Sequence, residues 1–220
     1  GIDANTGAFT WTPDASLMPG AYPVTVRVTD SGTPALSASE TITIIVADWS
    51  ENWDSYSNNA QMHGVNGWSG WEGNAAAGAL VSNLQSLSAS NSINISGATD
   101  LVHPYTGYTT GKWLYTAWQY IPTDATGSPY FILMNKYPSG GNNGSWSVQV
   151  KFDTVGNTVN NLMGGAESLP LLKGSWVKLV VEIDLDNDLQ RFYYNGRQLY
   201  QSSWTTSSFG TGIKNIGVVD

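Results

Sequence analysis

A period of two dominates this chain. In the stretch Trp176–Asp184, Val177, Leu179, Val181 and Ile183 alternate with Trp176, Lys178, Val180, Glu182 and Asp184. That is the pattern of a strand with one buried face. Val24, Val26 and Val28 alternate in the same way with Thr25, Arg27 and Thr29, and Ile42, Ile44 and Val46 repeat it. No window sustains a 3.6-residue apolar period. The nearest, Ala75–Leu87, is interrupted by Gly78 and runs into a Ser-Ala-Ser-Asn-Ser tail, both unfavourable to a helix. An all-β chain of short strands is expected.

Turn chemistry agrees. The 220 residues include 24 Gly, 10 Trp and 11 Tyr, a composition of strands joined by turns with aromatics to spare. Further strands are expected at 92–97, 111–122, 129–137, 144–153, 158–162, 175–186, 189–196 and 213–219. Segment 111–122 is apolar on both faces, which predicts a central strand. Asn195-Gly196 is the strongest hairpin signal, because a type I′ turn needs positive φ at both central positions. The texture changes near 47–50, predicting two pieces, 1–48 and 49–220, the second a sandwich or jelly roll.

Charge and composition exclude several functions. Nine Lys and Arg against 17 Asp and Glu give a formal net charge of −8, and no basic stripe is present to meet phosphates, so nucleic acid is not an expected partner. No apolar run is long enough for a membrane helix, so membrane insertion is not expected. With no cysteine there is no disulfide or thiolate chemistry. The opening "GIDANTGAFTW" reads as the interior of a domain, with any export signal upstream.

Two resemblances carry the argument further. "IDANTGAFTWTP" and "GAYPVTVRVTDSGTPALSASETITIIVAD" resemble the C-terminal half of a cadherin-like or Ig-type repeat of bacterial surface proteins. Such a half-repeat implies missing early strands and an exposed sheet edge. From residue 49, "NWDSY", "GWSGW", "TAWQYIP", "WSVQVKFD" and "W.KLVVEIDLD" followed by "FYYNG" resemble a concanavalin A-like lectin, or laminin-G-like, jelly roll. Members of that superfamily include enzymes, lectins and structural modules, so the fold does not settle function. The resemblance also implies one more strand after "IGVVD".

The resemblance to laminarinase-like glycoside hydrolases singles out Glu182, Asp184 and Asp186, close to a Glu-x-Asp-x-(x)-Glu strand motif whose paired carboxylates would do the chemistry. Asn187-Asp188 follows at once as a turn signal, which favours a solvated strand face instead. His63 and His103 lack metal-motif spacing. No GxSxG elbow occurs, and "GGNNGS" (140–145) lacks the lysine of a phosphate loop. A non-catalytic module is expected.

Sugar-binding chemistry fits the aromatics better. Trp68 and Trp71 stand in the Gly-rich "GVNGWSGWEG" loop as either a stacking platform or a packing lid. Parity in "WSVQVKFD" sends Trp146, Val148, Val150 and Phe152 to the core and Ser147, Gln149 and Lys151 to the opposite face. Gln149, Lys151, Glu182 and Gln119 are expected to line a groove for glycan. By resemblance, Asp30, Asp48 and Asp54 are candidate calcium ligands, carboxylates being suited to a hard cation. Asn94 and Asn143 head sequons. The expected function is an extracellular, carbohydrate-binding adhesion module of a larger secreted bacterial protein. The alternatives are a filament or sheath subunit joined to copies of itself through sheet edges, and a laminarinase-like hydrolase.

Overall fold

The computed structural model describes residues 1–3, 5–12, 20–88, 90–137, 144–206 and 212–220. It is nearly all β and divides into two compact units, Gly1–Glu51 and Asn52–Asp220.

In the first unit, β1 (Gly20–Thr29) and β2 (Ser37–Val46) form an antiparallel hairpin. Its register sets Tyr22 opposite Ile44 and Val24 opposite Ile42 on one face, with Thr25 opposite Thr41 on the other. Trp11 meets Tyr22 edge-on at 6.1 Å. No described side chain of this unit is buried, and Ile42 remains 41% and Val28 68% exposed. The alternation read in the sequence is real, but two strands make one layer, and one layer encloses no core.

The second unit contains β3 (Ser69–Gly70), β4 (Leu80–Ser82), β5 (Ser92–Asn94), β6 (Leu101–Pro104), β7 (Lys112–Tyr120), β8 (Tyr130–Lys136) and β9 (Ser145–Asp153). They are followed by β10 (Thr158–Asn161), β11 (Ser168–Pro170), β12 (Trp176–Asp184), β13 (Leu189–Tyr194), β14 (Arg197–Ser202) and β15 (Val218–Val219). Seven strands form one sheet in the order β11-β10-β9-β8-β15-β6-β3, and four form another in the order β14-β13-β12-β7. Phe131, Leu133, Val148, Val150 and Phe152 of the larger sheet and Val177, Leu179, Val181, Ile183 and Phe192 of the smaller are all buried. Rings bridge the sheets, Phe131 to Phe192 at 6.0 Å and Phe152 to Tyr194 at 6.1 Å. Each such side chain contributes about 1.5–3 kcal/mol by leaving water.

Several expectations change. Of the helical candidate 75–87, only Ala75–Ala77 forms a 3₁₀ turn, and β4 follows. Segment 111–122 is not central: β7 ends the order of the smaller sheet, with Leu114 63% and Trp118 46% exposed on its outer face. Of 213–219, only Val218–Val219 pairs, flanked by β6 and β8. At Asn195-Gly196 both φ angles are positive, 49° and 75°, as a type I′ turn requires.

The departure that matters most lies between β8 and β9. Ile132 faces Gln149 and Leu133 faces Val148, but then Met134 faces Trp146 and Lys136 faces Ser145. Ser147 and Asn135 are therefore supernumerary, one on each strand, which is the geometry of two β-bulges. Both are fully buried. Asn135 Nδ2 donates to Ser147 Oγ (2.8 Å), and Ser147 Oγ donates to the Trp204 carbonyl (2.6 Å). Asn135 Oδ1 accepts from the Ile213 amide (3.1 Å), and Gln190 Nε2 donates to the Ser147 carbonyl (2.9 Å). The bulges invert parity upstream of Val148. Ser147, expected outside, lies inside, and Trp146, expected in the core, is turned onto the outer face.

Candidate functional site

Cross-strand pairing fixes which side chains share the outer face of the seven-stranded sheet. Ile132 pairs with Gln149 and Tyr130 with Lys151, and Lys151 in turn pairs with Asn160. At the other end of this face, Val102, Ile132, Met134 and Val218 form an apolar patch against which Trp71, Tyr137 and Trp146 pack. Trp71 and Trp146 stack at 6.3 Å with planes 18° apart, and Tyr137 meets Trp71 edge-on at 5.1 Å. The Tyr137 hydroxyl accepts the Glu72 amide at 2.7 Å, which ties the Trp71 loop to the end of β8. All three rings are only half-buried, as are Gln149, Lys151 and Asn160. An aromatic roof thus borders a row of amides and one lysine, whose ammonium sits 3.2 Å from Asp153.

Two carboxyls that no motif singles out stand beside this roof. The amide and carbonyl of Asp220 both bond to those of Ile132 (3.0 and 2.8 Å), which continues the β8 pairing and places Asp220 on the same face as Ile132 and Gln149. Burial, then the hydrogen bond and charge of Asp100, push the Asp220 carboxyl up to about 8. Asp100 is held by its backbone, its carbonyl accepting from Trp71 and its amide donating to Ala77 (both 2.8 Å). A like charge beside a buried carboxyl favours the protonated form of Asp220. No spacing rule reveals a pair brought together from residues 120 positions apart; only sheet order does.

The expected groove is not assembled. Gln149 and Lys151 lie on the outer face of the seven-stranded sheet, whereas Glu182 lies on the outer face of the other sheet, 3.4 Å from Arg191 and 3.1 Å from the Tyr193 hydroxyl. Gln119 pairs with the buried Val177 and so faces the sandwich interior. Parity sorts the two sides of a strand but says nothing of which sheet the strand joins. The two loop tryptophans also part company. Trp68 is buried, 4.8 Å from Trp53 and 5.0 Å from His103, and it packs. Gly67, at φ 83°, lies so close beneath that a Cβ there would stand 2.9 Å from His103 Nε2. Trp71 alone reaches the outer face.

The "EIDLD" acids are each engaged by neighbouring groups. Asp184 closes β12, where Asn187 and then Lys112 (3.0 Å) hold its carboxyl down to about 2. A general acid needs the opposite shift. Asp186 lies beyond the strand and accepts the Gly111 amide at 2.8 Å. His63 Nδ1 accepts the Gly70 amide at 3.2 Å, a loop-building contact.

The calcium candidates are similarly engaged. Asp30 Oδ1 accepts the amides of Gly32 (3.0 Å) and Leu36 (2.9 Å), ordering the β1–β2 connection. Asp54 accepts the amides of Ser90 (3.1 Å) and Asn91 (3.0 Å) and the Ser88 hydroxyl (2.7 Å). Asn91 and Ser88 thereby lower its carboxyl below the usual range. Asp48 is exposed two residues beyond β2. Among the described residues no three His, Cys, Asp or Glu come together as a metal-binding group. Asn94 is exposed on β5, while Asn143 and most of "GGNNGS" lie outside the described residues. No helix among the described residues is long and apolar enough to cross a membrane.

Comparisons with known proteins bear mainly on the first unit. A sequence family described as "Putative Ig domain" matches residues 1–47. No curated protein matches the chain. Among solved structures, an endo-β-1,4-glucuronan lyase from the fungus Trichoderma reesei is similar with a TM-score of 0.42 and 14% identity, over 75% of this chain and 81% of that one. The family match covers the hairpin of β1 and β2 and ends before the second unit begins.

Proposed function

We propose that the chain is a non-catalytic, extracellular glycan-binding module, and that the outer face of the seven-stranded sheet holds the polysaccharide. The observation that supports this reading is the half-buried roof of Trp71, Tyr137 and Trp146 beside Gln149, Lys151 and Asn160. Sugar rings present flat C–H faces that pack on aromatic rings, and a few placed polar groups fix their orientation. Gln149 and Asn160 each offer an amide donor and acceptor to hydroxyls, and Lys151 adds a donor beside them. The Ig-type match of residues 1–47 and the low charge accord with a module exposed outside the cell.

Affinity electrophoresis through gels containing single polysaccharides tests the reading. We expect retardation in at least one gel, weakened about tenfold in both Trp146→Ala and Gln149→Ala, the loss of a stacked ring or a paired amide being worth about 1–2 kcal/mol. Retardation unchanged in both variants would remove this face from consideration. A cleared track would replace binding by cleavage.

A second reading rests on the first unit. The face bearing Tyr22, Val24, Ile42 and Ile44 holds no buried residue among these four, with Trp11 meeting it at Tyr22. Assembly through it predicts concentration-dependent association in sedimentation, lost in Val24→Lys.

A further inference from the structure

We infer that the opposite side of the sandwich, the outer face of the four-stranded sheet, carries a second saccharide site, selective for acidic sugars. Register places Trp176 beside Tyr120, Lys178 beside Trp118 and Val180 beside Thr116 on this face. The Trp176 and Tyr120 rings stand 5.7 Å apart, and Lys178 Nζ lies 6.0 Å from the centre of the Trp118 ring. Trp118 is 46% exposed, far more than a tryptophan that serves only to pack. Three aromatic side chains and one ammonium therefore share one end of a sheet face.

Charge pairing selects the ligand. Farther along the face, Lys112 is neutralised by Asp184 (3.0 Å) and Arg191 by Glu182 (3.4 Å). Among the described residues, no carboxylate lies within ion-pair distance of Lys178, in a chain of net charge −8. An exposed ammonium mounted on an aromatic face, with both neighbouring cations already paired, complements a ligand that is flat on one side and anionic at its edge. A uronate residue has this form: its ring packs on Trp118 and its neighbours, and its carboxylate meets Lys178. The face extends beyond the aromatic end into a shallow depression of about 330 Å³ lined by Leu114, Glu182 and Arg191, where further sugars of a chain would meet paired, and hence neutral, polar groups. Neutral sugars satisfy the rings and leave the ammonium unused. Acidic peptides satisfy the ammonium and leave the rings unused.

This site is independent of the one proposed on the seven-stranded sheet, and the experiment separates them. Titration calorimetry of the full chain is run with oligogalacturonate, neutral galactan oligosaccharide and oligoglutamate. We expect Lys178→Gln to weaken oligogalacturonate about fivefold, the scale of one exposed ion pair, and added salt to weaken it likewise. Trp118→Ala is expected to weaken it further, and both positions are exposed enough for the variants to fold. Lys178→Gln is expected to weaken oligogalacturonate to the same extent in a Gln149→Ala background, which separates this site from the one on the other face. Oligogalacturonate that fails to bind, or binds equally to wild type, Lys178→Gln and Trp118→Ala, overturns the inference. Oligoglutamate binding as tightly as oligogalacturonate overturns it too, since charge alone would then suffice.

Discussion

The two outer faces of the sandwich are built by different rules. On the four-stranded sheet, β12 alternates without interruption, and its outward residues pair across strands as Lys112 with Asp184 and Arg191 with Glu182. On the seven-stranded sheet, two bulges interrupt β8 and β9 and turn Trp146 outward, where it stacks with Trp71. Apart from one register shift where β14 pairs with β13, this more regular face is a matter of local pattern. The bulged face depends on Asn135 and Ser147, whose hydrogen bonds reach to Trp204 and Ile213, distant in the chain. A site assembled by bulges is therefore paid for in the interior, and its integrity should track the interior polar network rather than the surface residues themselves.

Four experiments press on that contrast. Asn135→Leu should have the largest effect: it leaves the Ile213 amide and the Ser147 hydroxyl short of partners, at a cost of about 3 kcal/mol in urea unfolding. Val180→Thr, on the regular face, should cost no more than about 1 kcal/mol. Equal costs would mean that the bulges hold nothing in place.

The pH dependence of the two faces should then have opposite signs. The folded Asp220 carboxyl, pushed up to about 8 from an ordinary 3.8, keeps a proton that the unfolded chain has lost, so stability falls as pH rises from about 4 to about 8. Asp184, held down to about 2 from 3.8, does the reverse: its contribution is present above about 4 and is lost as pH falls through about 2. Unfolding curves of Asp220→Asn should lose the first slope, and those of Lys112→Met should soften the second. A wild-type chain equally stable at pH 5 and pH 8, with Asp220→Asn unchanged from it, would break up the carboxyl pair.

Arg191→Gln is expected to cost at most about 1 kcal/mol, because its ion pair with Glu182 is exposed and screened. Smallest of all is the effect of a chelator. With Asp30 and Asp54 satisfied by their own loops, removal of calcium should leave the Tm unchanged, and a fall in Tm would restore a cation to one of these loops.

Legibility followed regularity. β1, β2 and β12 could be read with their alternating faces, because each strand alternates without a break, and Asn195-Gly196 fixes the β13–β14 turn. β6, β11 and β15 are too short, at four, three and two residues, for a period to show. Of the residues expected to bind a ligand, Trp71, Gln149 and Lys151 share a face. Glu182 and Gln119 do not join them, and Tyr137, Trp146 and the Asp100–Asp220 pair were not legible at all.

The sequence by itself determined the all-β class, the change of texture near residue 50 and the alternating faces of the regular strands, since period and turn chemistry are local properties of the chain. Tertiary structure alone decided which sheet each strand joined, where the bulges fell and which carboxyls met. Those outcomes depend on pairings between residues far apart in sequence, and a bulge of one residue is enough to reverse every side chain upstream of it.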